Sequence, residues 1–242
     1  LLGLAQQHLG AGLTGFEVMG QFALQLVSRH FTALHVPLWQ TAPYCVLLSH
    51  SDTENEAHGN AQLERLLEAA LHQGCASDAV VASSLAQGRQ LWQVRESISS
   101  AQAAEGLNIK HDISLPVSAI PDFVAHTDAL LAREIDGVRL VNFGHLGDGN
   151  LHYNVQCPVG GNAADFLAVQ EPRINTLVFE AVMRFDGSIS AEHGVGSLKA
   201  DTLHLYKDPV ALQLMRSIKQ AIDPQNLMNP GRVLAIHYIN PM

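Results

Sequence analysis

The sequence predicts an α+β sandwich in which an antiparallel sheet packs against helices, and three observations carry that expectation. "GHLGDGNLHYNV" (144 to 155) reads as a hairpin, because Asp148-Gly149 suits a type I′ turn with positive φ at both central positions. Leu63, Leu66, Leu67, Ala70 and Leu71 recur at helical spacing. Strand-like and helix-like segments then alternate along the chain, as they do in mixed folds.

The elements follow in order. "FEVMGQFALQLVSRH" (16 to 30) sets Val18, Met19, Phe22, Ala23, Leu26 and Val27 on one stripe, which predicts a packing helix. "PYCVLLSH" (43 to 50) reads as a buried strand, and "SDAVVAS" (77 to 83) as a second strand beyond the Leu63 to Leu71 helix, giving a β-α-β unit. A long helix from about Leu85 to Glu105 follows, then a strand at "LNIKHDISLPV" (107 to 117). Ser118, with Pro121 behind it, starts a helix carrying Phe123, Val124, Leu130 and Leu131. "GVRLVNFG" (137 to 144) enters the hairpin, and a helix of about 20 residues ends at Arg184. "AIDPQNLMNPGRVL" (221 to 234) reads as helix, turn, turn and strand. The segments from 107 onward give a second, β-α-β-β, unit, and the two units resemble duplicated ferredoxin-like halves, without a clear sequence repeat between them. No Pro/Gly/Ser-rich linker divides residues 1 to 242, so one domain is expected.

Composition excludes several roles. At 242 residues and 47% hydrophobic the chain buries a real core, and a net charge of −9 with 14 unclustered Lys and Arg argues against nucleic acid as partner. Three cysteines without CxxC spacing suggest neither a disulfide framework nor a cysteine metal site, and fit the cytoplasm. No apolar run reaches the roughly 18 residues of a membrane span, and the N-terminus lacks the order of a signal peptide. Because Leu1 already lies in helix-like sequence, a fragment of a longer protein is expected. Gly10-Ala-Gly12-Leu-Thr-Gly15 satisfies GxGxxG, but it follows helix-like sequence and no acidic residue lies between Glu17 and Asp52. It therefore reads as a glycine-rich turn between helices.

In the predicted hairpin, Gly147 pairs with Asn150, Leu146 with Leu151 and His145 with His152. Both imidazoles then share a face with Cβ atoms roughly 4.5 to 5.5 Å apart, and Asn154 joins them. Histidines can occupy an exposed hairpin for no chemical reason, so a third ligand decides. "GSISAEHGVG" (187 to 196) offers Glu192 and His193 among small residues, although an incidental charged pair at a strand end is the simpler reading of those two alone. Two imidazoles and a carboxylate suit Zn²⁺ or another first-row divalent ion. Arg95 and Lys110 either snorkel from apolar surroundings to water or form a carboxylate clamp.

Together "GHLGDGNLHYNV", "SISAEHGVGSLKADTL", "LMRSIKQAIDPQNLMNPGRVL" and "IKHDISLPV" resemble the C-terminal substrate domain of the FAD-linked D-2-hydroxy acid dehydrogenases, in the vanillyl-alcohol-oxidase flavoprotein superfamily. The likeness runs from Gly15 to Leu234. It implies metal ligation by His145, His152 and Glu192, with His193 as catalytic base. By the match of "RESIS" and "IKHDISLPV" it implies substrate contacts from Arg95, Ser99, Lys110 and Asn154, and it sets Asn229 against the cofactor. The implied partners are a small 2-hydroxy acid, an FAD-binding domain that normally precedes this region, an electron acceptor and a second copy in a homodimer. Without that domain the chain is expected to be inactive alone. Excess cationic groups point to a substrate with a second carboxylate, 2-hydroxyglutarate before lactate or glycolate. A stand-alone metal hydrolase and a non-catalytic ligand sensor remain as other classes.

Overall fold

The computed structural model describes residues 1–235. In chain order it contains α1 (Leu2–Leu9), β1 (Leu13–Gly20), α2 (Gln21–His30), β2 (Tyr44–His50), α3 (Glu56–His72), α4 (Leu85–Glu96), α5 (Ile98–Glu105), β3 (Asn108–Ile109) and β4 (Asp112–Ser114). These are followed by α6 (Ile120–Glu134), β5 (Arg139–His145), β6 (Asn150–Gln156), α7 (Ala163–Arg184), the short α8 (Gly196–Lys199) and α9 (Leu203–Tyr206), and α10 (Pro209–Ile222). The strands form one antiparallel sheet in the order β2-β1-β5-β6, with β3 and β4 both paired to the outer edge of β6.

Because side chains alternate along each strand, the sheet sends two different sets to its two sides. Met19, Val141 and Phe143 meet Leu24 and Val27 of α2 and Val94, Ile98 and Ala101 of α4 and α5. On the other side Leu151, Tyr153 and Val155 meet Phe123 and Leu131 of α6 and Ile174, Val178 and Val182 of α7. The β1 end of that same side packs Phe16 against α1 and α3 through Ala5, Leu9 and Leu66. Helices therefore cover both faces, and charged groups gather at the strand ends. The expected α+β sandwich is the fold.

Several expected elements differ, each for a local reason. Residues 13 to 20 are strand rather than helix. Val18 and Met19 fit either period, but β1 has a partner on each side, β2 and β5, and the helix starts only after Gly20. The glycine-rich turn before it therefore joins a helix to a strand. Residues 77 to 83 form no strand; Val80 and Val81 lie exposed and unpaired, so the expected β-α-β unit does not form and, among the described residues, every strand pairing is antiparallel. The long helix breaks at Ser97 into α4 and α5.

The strand at 107 to 117 is two pieces. It is interrupted where the buried His111 turns inward and its ring contacts the Tyr153 carbonyl (2.8 Å) and Asn175 (2.8 Å). Ser118 caps nothing: α6 begins after a 3₁₀ turn at Val117–Ala119, with Pro121 in its first turn as expected. From residue 223 to 235 the chain forms turns rather than a strand, pinned by Asp223, which accepts from the Leu227 and Met228 N–H groups.

A charged knot joins three elements at the far end of the sheet. Glu105, at the end of α5, binds Arg29 (3.0 Å) and His30 (2.8 Å) of α2 and Arg139 (2.5 Å) of β5. Burial alone would raise its pKa, but the His30, Arg139 and Arg29 hydrogen bonds outweigh burial and hold the carboxyl down from the usual 4.5 to about 2. The folded-state pKa is depressed, so the stabilisation is present above about pH 4.5 and lost as pH falls towards 2. Urea unfolding across that window should show the loss, and Glu105→Gln should flatten it.

Gly149 closes the β5-β6 turn with φ 74°, and a Cβ there would overlap the Leu115 carbonyl oxygen. Gly149→Ala combines left-handed strain with a backbone clash and should cost about 1–3 kcal/mol, read as a lower urea midpoint with unchanged slope.

Candidate metal and substrate site

The open end of the sheet carries the chemistry. Its geometry starts from the hairpin register, which differs from the expected one by two residues. His152 stands opposite Phe143, and the turn is a 3₁₀ turn at Leu146–Asp148 closed by Gly149. His145 and His152 are therefore not directly cross-strand. A shift of two keeps every side chain on its face, so both histidines and Asn154 still share one side. Each strand is fixed by its own outer neighbour: β1 sets Glu17 opposite His145, and β4 sets Asp112 opposite His152.

Above them runs residues 188 to 196, a segment of small residues tied down by Asp112. One Asp112 oxygen accepts from the N–H of His193 (2.8 Å) and of Ala191 (3.3 Å), and the other from the Asn150 amide (2.9 Å). Burial would raise this carboxyl, but the His193 N–H and the Asn150 amide outweigh it and keep the group below its ordinary range. Lys199 adds a clamp from its ammonium to the Ile189 carbonyl (2.7 Å). Burial lowers its pKa.

This anchoring brings Glu192 over the hairpin. One of its oxygens is 3.1 Å from His145 Nε2 and the other 3.9 Å from His152 Nε2. His152 also lies 3.8 Å from Asp112, and His193 Nδ1 is 3.8 Å from the other Asp112 oxygen. Asp112, His152 and His193 offer ligand atoms within 4.8 Å of one another. Two to three imidazoles with carboxylates at this spacing form a donor set that fits a first-row divalent ion. Burial, with the Arg95 charge adding to it, pushes His152 down to about 4, so its ring is neutral at pH 7, the form that binds metal.

The remaining expected residues divide. Arg95 reaches the site: its Nε donates to Glu17 (2.6 Å) and its guanidinium lies over the Phe143 ring. Ser99 and Lys110 are exposed, one turn beyond Arg95 on α5 and at the break between β3 and β4. Asn154 is buried and spends its amide on structure, accepting from the His111 N–H and donating to Gln102. Asn229 sits exposed with φ 48° in the turn after α10, and none of the bonds that build the histidine cluster comes from it. A cavity of about 460 Å³ lies at the opposite end of β5 and β6, lined by Arg29, Glu105, Arg139 and Gln156, away from the histidines.

Residues 3–233 match the family model for the C-terminal domain of FAD linked oxidases. The chain belongs to that family. It is 40% identical over 227 residues to a D-2-hydroxyglutarate dehydrogenase of Xanthomonas citri pv. viticola, covering 93% of this chain and 46% of the relative. A probable mitochondrial D-2-hydroxyglutarate dehydrogenase of Oryza sativa subsp. indica is 36% identical over 97% of this chain and 40% of its own length. The mitochondrial enzyme of that name from Bos taurus is 36% identical, covering 95% and 40%. The chain thus spans under half the length of these curated relatives. Among the described residues no helix is long and apolar enough to cross a membrane.

Two groups at the centre of the site, Glu17 and Asp112, were not singled out from the sequence. A signal existed for each: Glu17 is the lone acidic residue in an apolar stretch, and Asp112 sits inside the strand-like "IKHDISLPV". Asp112→Ala should free the 188 to 196 segment, leaving the Asn150 amide and two N–H groups without their acceptor. Hydrogen exchange at Ala191 and His193 should accelerate while α3 is unchanged, with a stability loss of about 1–3 kcal/mol.

Proposed function

We propose that this chain is the metal- and substrate-binding domain of an FAD-dependent dehydrogenase that oxidises a D-2-hydroxy acid to the 2-oxo acid, with D-2-hydroxyglutarate as substrate. The observation that carries the reading is the position of Glu192, whose two oxygens face the Nε2 atoms of both His145 and His152, beside His193. His145, His152 and Glu192 are the proposed metal ligands, and zinc is the proposed ion. When bound, a divalent ion supplies Lewis-acid polarisation of the substrate hydroxyl and carboxylate.

The chain's own residues do the rest. His193 takes the hydroxyl proton at an imidazole nitrogen, a general-base contribution of roughly 10² to 10⁴ in rate. Asp112 holds the His193 N–H and lies beside its ring, so the base is presented to the site rather than left on a loose loop. Arg95, with Ser99 and Lys110 at the rim, receives the second carboxylate; Asn154 supports the strand beneath. The flavin belongs to the remainder of the whole protein. Gly10 to Gly15 leads into β1 instead of out of a strand, so this chain offers no dinucleotide cradle of that kind. The relatives' names support D-2-hydroxyglutarate over D-lactate or glycolate. A further electron acceptor then reoxidises the flavin. The three cysteines, all free, suit a reducing compartment, the cytoplasm among them.

Reconstitution with zinc should give about one equivalent per chain, largely lost on His152→Ala, by elemental analysis after dialysis. Equal metal content in the variant would remove the site. In the whole protein Arg95→Ala should lower kcat/KM for D-2-hydroxyglutarate by a factor corresponding to about 1.5–3 kcal/mol, the worth of a hydrogen bond to a charged group. D-Lactate, which lacks the second carboxylate, should lose less; equal losses would return the assignment to the lactate or glycolate enzymes.

A further inference from the structure

Glu17 is the least exposed charged side chain at the open end of the sheet, at 2% relative exposure. It stands directly across the β1-β5 ladder from His145, so the backbone register itself delivers the two side chains to the same spot. Its Oε1 contacts His145 Nδ1, and its Oε2 accepts from Arg95 Nε at 2.6 Å. The opposite ring nitrogen of His145, Nε2, faces Glu192 at 3.1 Å. A carboxylate can only accept, so this contact holds a proton on His145 Nδ1 and leaves Nε2, which faces Glu192, as the ring nitrogen that would take an ion in place of a proton.

We propose that Glu17 is a positioning residue for the metal site: it fixes the tautomer and ring orientation of His145, and it couples that ligand to Arg95. The inference rests on the reading of His145 as a ligand. Three physical reasons support it. An imidazole ligand whose other nitrogen donates to a carboxylate is both oriented and made a stronger donor. A carboxylate buried this deeply is costly unless it is fully engaged, and Glu17 has a partner on each oxygen. Finally, a dication beside the half-buried Arg95 guanidinium would be repelled by it, and Glu17 supplies the negative charge between the two. One carboxylate therefore serves both the ion and the arginine proposed to hold substrate, so a change at either is felt at the other.

The test uses zinc alone and three forms of the chain: unmodified, Glu17→Gln, and Glu17→Met/Arg95→Met. The double variant removes both partners of the ion pair together, which a largely buried site tolerates better than removal of one. Zinc affinity is read by competition with a chromophoric chelator, and the His145 tautomer by ¹⁵N NMR of the metal-free chain. The unmodified chain should show His145 protonated at Nδ1 and bind zinc most tightly. The double variant should lose that tautomer preference and bind at least about tenfold more weakly. Glu17→Gln, which keeps an acceptor but not the charge, should fall between.

A double variant that binds zinc like the unmodified chain, or that keeps the Nδ1 proton, would overturn the inference while leaving the metal site standing. An unmodified chain that binds no zinc would overturn both. Should the double variant fail to fold, Glu17→Gln alone decides, and an affinity unchanged from the unmodified chain counts against the proposal.

Discussion

Asp112 is a carboxylate buried between two strands and a loop, and the open end of the molecule depends on it. Its oxygens collect backbone N–H groups from Ala191 and His193 and the amide of Asn150. Within segment 188 to 196 Ile189 and Val195 pack on the core, and between them, where Ala191, Glu192 and His193 have no such anchor, charge-assisted hydrogen bonds place the chain. Without such an acceptor Glu192 and His193 would belong to a mobile loop. With it they lie over a rigid hairpin. The division of labour is that the sheet supplies precise histidines, and one carboxylate draws the more exposed ligands to them.

The amino-acid pattern revealed the chemistry more fully than the fold. The hairpin, α6, α7 and the helical repeat of α3 all had strong periodicity, and each forms. The failures share a cause. In "FEVMG" the apolar residues satisfy either period, and only pairing to β2 and β5 resolves the choice, which no local pattern contains. "DAVVAS" has strand composition but pairs with no strand among the described residues. His111 breaks its strand because its ring bonds to a backbone carbonyl 42 residues away. At the site, Glu192, His145, His152 and His193 were visible because histidines and glycines cluster in sequence. Glu17 lies 128 residues from His145, so its role became visible only in three dimensions.

The two sides of the sheet also explain why polar chemistry is confined to the strand ends. Helices close both faces, and some of the buried polar groups between them are spent on one another: Asn154 on His111 and Gln102, Tyr153 on Asp128. At one end the Glu105 knot consumes its charges internally. At the other, Glu192 and His193 are substantially exposed, with side-chain exposures of 44% and 68%, and remain open to an ion or a substrate.

The hairpin register has a consequence for chain connectivity. His145 is held in place by β1 and His152 by β4, so neither position is set by the turn that joins their strands. The link from Leu146 to Gly149 is a tether between two strands aligned by their own ladder and by the neighbour on the far side of each. A backbone cut at Gly147 would therefore leave the two imidazoles facing the same spot, because the strand ladders carry the alignment.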